Sequence, residues 1–260
     1  REKIVLLWSK YLLVDLINMS EVRQPGFIHP EIQTKDLARG TMTSVLSLDT
    51  GPDAVRKRAA DKYVMKVYSF PHGIFEPDQR TRQHALFNIP DGISVESVSL
   101  QEKVGMLKKR QERLCAFFKD TLPDFVVPSI FLIATDIDGI DRIFELQEKI
   151  AGKRWHDIDD LSAFSDAEKE RLLTQLRLLE QKLQDMLKDT YYGDHTPDMS
   201  PSNIFVAHNG DLRCIDTNME VPTLYKEDMR QKFLDHYHDI VVGLLVEIKE
   251  RKLLLENELK

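Results

Sequence analysis

Cysteine is scarce in this sequence: Cys115 and Cys214 are the two it has. Two thiols cannot make the disulfide framework of a small secreted scaffold, so a reducing, cytoplasmic setting is expected. Positive charge is not in excess either. The formal net charge of −7 argues against nucleic acid or an anionic membrane as the main partner. A long hydrophobic run is also missing. The strongly apolar stretch Ile4–Met19 is too short for a membrane span and carries Lys10 and Asp15, so it reads as a packed N-terminal helix within residues 1–30. Low-complexity tracts and internal repeats are absent. What is left is ordinary globular material: 260 residues, 42% hydrophobic and 30% charged, enough for one large or two small domains with a proper core.

The chemistry concentrates between Tyr192 and Asn218. Asp198, Asn203 and Asp216 lie there in order, and two short apolar runs, Ile204–Val206 and Leu212–Ile215, flank Asn209-Gly210. An Asn-Gly pair between two β-like runs predicts a hairpin. A hairpin brings its ends together, which would set Asn203 beside Asp216, with Asp198 on the loop just before. An amide oxygen converging with carboxylates suits a hard cation such as Mg²⁺.

Upstream, Ile32–Asp49 reads as two strands around Gly40, Thr41, Thr43, Ser44 and Val45, and Gly51–Asp61 as a solvated connection. Lys62–Ser69 alternates as a strand with Tyr63, Met65 and Val67 on one face and Val64, Lys66 and Tyr68 on the other. Lys66 is the odd member of its face; it either reaches water at a sheet edge or needs an anion. Phe70–Asp91 reads as an irregular insert. Val95–Lys119 predicts a helix with Val104, Leu107, Leu114 and Phe118 on one stripe. Phe125–Ala134 and Arg142–Gln147 predict strands around Asp138-Gly139. Ser165 and Glu168 form a capping box that starts a helix with Leu172, Leu176, Leu179, Leu183 and Met186 facing a core. Glu227–Lys260 reads as one or two further helices, with Phe233, Tyr237, Ile240, Val241, Leu244 and Ile248 inward.

The order Asp198, Asn203, Asp216 resembles the catalytic loop and metal-binding strand pair of the protein-kinase-like superfamily. Pro201 before Asn203 and Ile215 before Asp216 bring it closer to the aminoglycoside phosphotransferase branch. Thr196 stands where kinases place a His before the catalytic Asp, with His195 one place off. Thr217-Asn218 stands where protein kinases have Phe-Gly, and forty-four residues follow Asp216. The resemblance implies an α+β, two-lobed fold. Residues 31–150 would form an antiparallel-sheet N-lobe with one helix, and residues 151–260 a mostly helical C-lobe. It implies an ATP- and Mg²⁺-dependent phosphotransferase acting on the hydroxyl of a small molecule; the alternatives are a protein kinase, or a pseudokinase serving as a nucleotide- or protein-binding scaffold. Asp198 would be the catalytic base, and Asn203 and Asp216 would hold Mg²⁺. Gly40, Thr41, Thr43 and Val45 would belong to the loop over the phosphates. Lys66 would bind the α- and β-phosphates, paired with Glu112 of the helix (Glu102 is the alternative). Main-chain groups of Glu148 and Ile150 would meet adenine. Acceptor-lining residues would come from Trp155–Ser162, where Asp157, Asp159 and Asp160 could attract a cation, and from the C-terminal helices.

Overall fold

The computed structural model describes residues 33–39, 43–49, 62–68, 87, 89–90, 92–135, 140–158, 161–188, 196–215, 219–220 and 227–260. The readings for Ile4–Met19, for 51–61, for most of the 70–91 insert and for Asp194 and His195 lie outside the described residues. The fold is α+β. It divides into two compact units, the first drawn from Arg1–Gly73, Ser99–Val104 and Pro128–Lys149, the second from Ile74–Val98, Gly105–Val127 and Ile150–Lys260.

In the first unit, β1 (Gln33–Arg39), β2 (Thr43–Asp49), β3 (Tyr63–Tyr68), β4 (Ser129–Thr135) and β5 (Asp141–Glu148) form one sheet in the order β1-β2-β3-β5-β4. Every pairing is antiparallel. The period of two dictated by a strand sorts the side chains. Met65 and Val67 of β3 join Phe144 and Leu146 of β5 and Ala134 of β4 in one buried cluster, with Ile130 and Leu132 packed on it. Lys66, Tyr68, Glu145 and Gln147 are the intervening residues and occupy the opposite face.

The second unit has a larger core, in which Leu114, Phe118, Leu172, Leu176, Leu179, Leu183, Val241, Leu244 and Ile248 are all buried together. They come from three helices: α1 (Leu100–Phe118), α2 (Asp166–Lys188) and α3 (Glu227–Glu258). The expected start of α1 at Val95 moves to Leu100 because Ser99 and Glu102 make a capping box. Ser99 N–H donates to Glu102 Oε2 (2.9 Å) and Glu102 N–H to Ser99 Oγ (3.2 Å). Val95–Ser97 is a separate single 3-10 turn. The same device opens α2, where Ser165 N–H and Oγ–H both donate to Glu168 Oε2 at 2.8 Å. Gly105–Val127, expected in the N-lobe, falls in this second unit, because Leu114 and Phe118 pack into its core.

Helices α2 and α3 run antiparallel. Lys169 meets Glu258 (2.9 Å), Arg177 meets Glu256 (2.8 Å), and Lys252 bonds Glu180. Exposed ion pairs add little, so the leucine seam between them holds the two helices together. Among the described residues, no helix is long and apolar enough to cross a membrane.

Candidate functional site

The Asn-Gly hairpin forms where its sequence predicts it. Strand β8 (Ile204–Ala207) pairs with β9 (Leu212–Cys214) in the register Ile204↔Cys214, Phe205↔Arg213, Val206↔Leu212. Gly210 N–H donates to Ala207 O and Ala207 N–H to Asp211 O, both at 2.9 Å, with Gly210 at φ +80. This is a three-residue loop closed by a glycine bulge. The other end of the hairpin closes as well. Ile215 N–H donates to Asn203 O at 2.9 Å. Asn203 is thereby fixed beside the covalent neighbour of Asp216; Asp216 itself lies outside the described residues.

Asp198 is set by the loop ahead of the hairpin. Pro197 and Met199 are buried on either side of it, Met199 fully. With its neighbours turned inward, Asp198 is left partly exposed. Its Oδ1 accepts the Ser200 N–H at 3.0 Å, an aspartate turn that orients the carboxylate. Ser200 O accepts the Asn203 N–H (2.9 Å) at a 3-10 turn over Pro201–Asn203, and the Ser200 and Ser202 hydroxyls bond at 2.8 Å. A two-residue ladder ties the loop downstream: β10 (Met219–Glu220) pairs with β7 (Thr196–Pro197), Met219 opposite Pro197. Thr196 therefore serves as a strand residue at this point in the backbone.

Helix α2 supports the hairpin from its tip, through residues the sequence did not single out. Gln175 grips the start of the second strand, just past the turn: its Oε1 accepts Leu212 N–H (2.7 Å) and its Nε2 donates to Asp211 Oδ1 (2.8 Å). Gly210 lies so close to α2 that a Cβ there would stand 2.4 Å from the Glu168 carbonyl oxygen. A second sheet edge adds to this, as β6 (Gly152–Arg154) pairs with β8.

In the first unit the lysine is where the alternation put it, and a carboxylate of its own sheet faces it. Lys66 Nζ donates to Glu145 Oε1 at 3.4 Å, from directly across the β3–β5 ladder. Glu145 is only 1% exposed. It also accepts the Tyr68 hydroxyl on Oε2 (2.7 Å) and the Ser129 hydroxyl on Oε1 (2.6 Å), while Gln147 Nε2 donates to Ser129 Oγ (3.0 Å). The expected partner, Glu112, is an exposed residue of α1 in the second unit. Burial, and then Glu112, pushes the Cys115 thiol up. The alternative, Glu102, is committed to the cap of α1, which holds its carboxyl below the usual range.

The remaining expected residues divide as follows. Gly40 and Thr41 lie outside the described residues. Thr43 and Val45 are in β2, where Val45 is the register partner of Lys66 and Thr43 of Tyr68. Glu148 ends β5. The next N–H, of Lys149, donates to Lys62 O (2.7 Å), so alternation turns the main-chain groups of Glu148 away from β3. Ile150 follows β5 and opens the last segment of the second unit. Burial, then the Glu148 charge, raises the Tyr63 phenol.

One expected lining segment belongs to the core. Trp155 is fully buried, donates its indole N–H to Glu247 of α3, and lies under the Arg251 guanidinium at 4.5 Å. Arg251 also donates to Trp155 O (2.6 Å) and Ile158 O (2.7 Å). Ile158 and Leu161 are core as well. The segment locks α3 in place, so its apolar members are not available to line an acceptor pocket.

Among the described residues, no group of three His, Cys, Asp or Glu gathers to hold a metal. The donor chemistry around Asn203 is nonetheless one sort: an amide oxygen here, carboxylates at Asp198 and in the sequence at Asp216. Such oxygens fit Mg²⁺ and not a soft metal. The sequence matches no protein-family model and no curated protein.

Proposed function

We propose that the chain is a two-lobed, kinase-like phosphotransferase that moves the γ-phosphoryl group of ATP to a hydroxyl of a small molecule. The observation that carries this reading is the closure of the backbone around the three acidic and amide positions. Ile215, next to Asp216, bonds Asn203, and Met219 pairs with Pro197, next to Asp198. A sheet with a lysine on its third strand, facing a buried glutamate, supports it from the other unit, since kinases also carry their phosphate-binding lysine on the third strand.

In this reading Lys66 fixes the α- and β-phosphates. Asp198, oriented by the Ser200 N–H, aligns the acceptor hydroxyl and takes its proton as the oxygen bonds to phosphorus. The bond from phosphorus to the bridging oxygen breaks, and ADP leaves with that electron pair. General-base help of this kind contributes about 10²–10⁴-fold. Asn203 and Asp216 would hold Mg²⁺, which when bound neutralises charge on the β- and γ-phosphates.

The test is a coupled ADP-release assay with a panel of hydroxyl acceptors, on the wild type and on Asp198→Asn. The expected result is turnover that falls by orders of magnitude in the variant while Mg²⁺–ATP binding is kept. Equal turnover in the two would remove Asp198 as the base.

A further inference from the structure

We infer that the phosphate-binding lysine of this chain is positioned by a carboxylate of its own sheet, Glu145, in the role that kinases give to a helix glutamate. This deepens the phosphotransferase reading and rests on it.

Three observations lead there. First, Lys66 and Glu145 are directly opposed in the β3–β5 register, so backbone pairing alone brings ammonium and carboxylate together. Second, Glu145 is anchored independently of Lys66. Tyr68 and Ser129 each donate a hydroxyl to a different one of its two oxygens, and Gln147 in turn holds Ser129. A carboxylate gripped at both oxygens keeps one orientation and presents a fixed acceptor to the lysine. Third, burial is graded: Glu145 is sealed at 1% exposure, whereas the Lys66 side chain keeps 12%. The anchor is inside and the cation reaches outward. An ammonium has three N–H donors, so its bond to Glu145 is compatible with contact to a phosphate.

The consequence concerns regulation. In protein kinases the lysine pairs with a helix glutamate, and repositioning that helix makes or breaks the pair. In a pair built into one β-ladder the two backbones are held opposite each other by the register, and a slip of that register would turn every side chain of the strand over. Lys66 therefore has a carboxylate anchor in its own sheet whenever the sheet is folded, and that anchor needs no helix to bring it into place.

The experiment is calorimetric titration of the full chain with Mg²⁺–ADP and, separately, with adenosine, which lacks the phosphates. Wild type, Glu145→Gln, and Glu145→Gln combined with Lys66→Met are compared with Lys66→Met alone. The expected result is an ADP affinity about tenfold weaker in Glu145→Gln, as befits loss of one charge-assisted bond. Adenosine affinity should stay at the wild-type value, and Glu145→Gln should add no loss on the Lys66→Met background. Should Glu145→Gln fail to fold by circular dichroism, Tyr68→Phe takes its place, with an ADP loss of roughly twofold to fivefold and adenosine again unchanged. Wild-type ADP affinity in Glu145→Gln overturns the inference and leaves the phosphotransferase reading intact. So does an equal loss for ADP and adenosine, which marks a purely structural role, and so does a tenfold loss in Glu112→Gln instead. If the wild type binds neither ligand at millimolar concentration, the reading falls and the inference with it.

Discussion

Ile215 donates its main-chain N–H to the carbonyl of Asn203 at 2.9 Å, and that one bond closes the open end of the β8–β9 hairpin. The position of Asn203 is thus set by hairpin register, and the register is set at the far end by Gly210.

Gly210 has φ +80, and an added Cβ would meet the Glu168 carbonyl oxygen at 2.4 Å. Gly210→Ala is expected to destabilise the fold by about 2–3 kcal/mol, from left-handed strain and the backbone clash together. In a chain of this size that is a fall in Tm of roughly 4–12 °C. A thermal melt checks it; a change under about one degree would mean that the turn does not lean on α2.

The buried polar group of the first unit makes a contrast between two variants. Glu145→Ala leaves the Tyr68 and Ser129 hydroxyls without this acceptor and opens a void, a loss of about 3–5 kcal/mol. Tyr68→Phe removes one donor and should cost about 1 kcal/mol. Urea unfolding should rank them in that order, and similar midpoints would contradict the network.

Acid should act through the two helix caps. The Ser165 main-chain N–H and hydroxyl hold the Glu168 carboxyl below its ordinary range, and the Ser99 hydroxyl and N–H do the same to Glu102. A glutamate whose folded value is depressed binds fewer protons in the native state. Its stabilisation is complete above the unfolded value of about 4.3 and is lost as pH falls through the lower folded value. Ser165→Ala removes the hydroxyl and keeps the main-chain bond, so it should flatten in part the pH dependence of the denaturation midpoint below about pH 4.3 and leave its slope near neutrality unchanged. An unchanged acid limb would show that the Ser165 hydroxyl does not grip Glu168.

Much of this was legible in the sequence where a local signal agreed with tertiary need. Ser165 with Glu168 and the leucine stripe of α2 gave both the start and the buried face of that helix. Asn209-Gly210 gave the hairpin, and the alternation in β3 gave which of its residues share a face with Lys66. Other parts had no local signature. Glu145 sits among Ile143, Phe144 and Leu146, and an acidic residue in so apolar a strand is the one sign in the sequence that a carboxylate faces Lys66 across the sheet. Gln175 looks like any polar residue on a helix surface, and only folding shows that it receives the hairpin. Phe87 and Ile89 are fully buried, although their surroundings in sequence read as irregular. Trp155 reads in the sequence as a pocket residue, and Arg251 and Glu247, some ninety residues on, make it core.

The most direct test of the central claim is a thermal-shift titration with ATP, with and without Mg²⁺, on the wild type and on Asp216→Ala. A ligand bound by the folded state alone raises Tm by mass action. The account predicts a Mg²⁺-dependent rise in the wild type that disappears in Asp216→Ala. No rise in the wild type at millimolar ATP, or an equal rise in the variant, would contradict it.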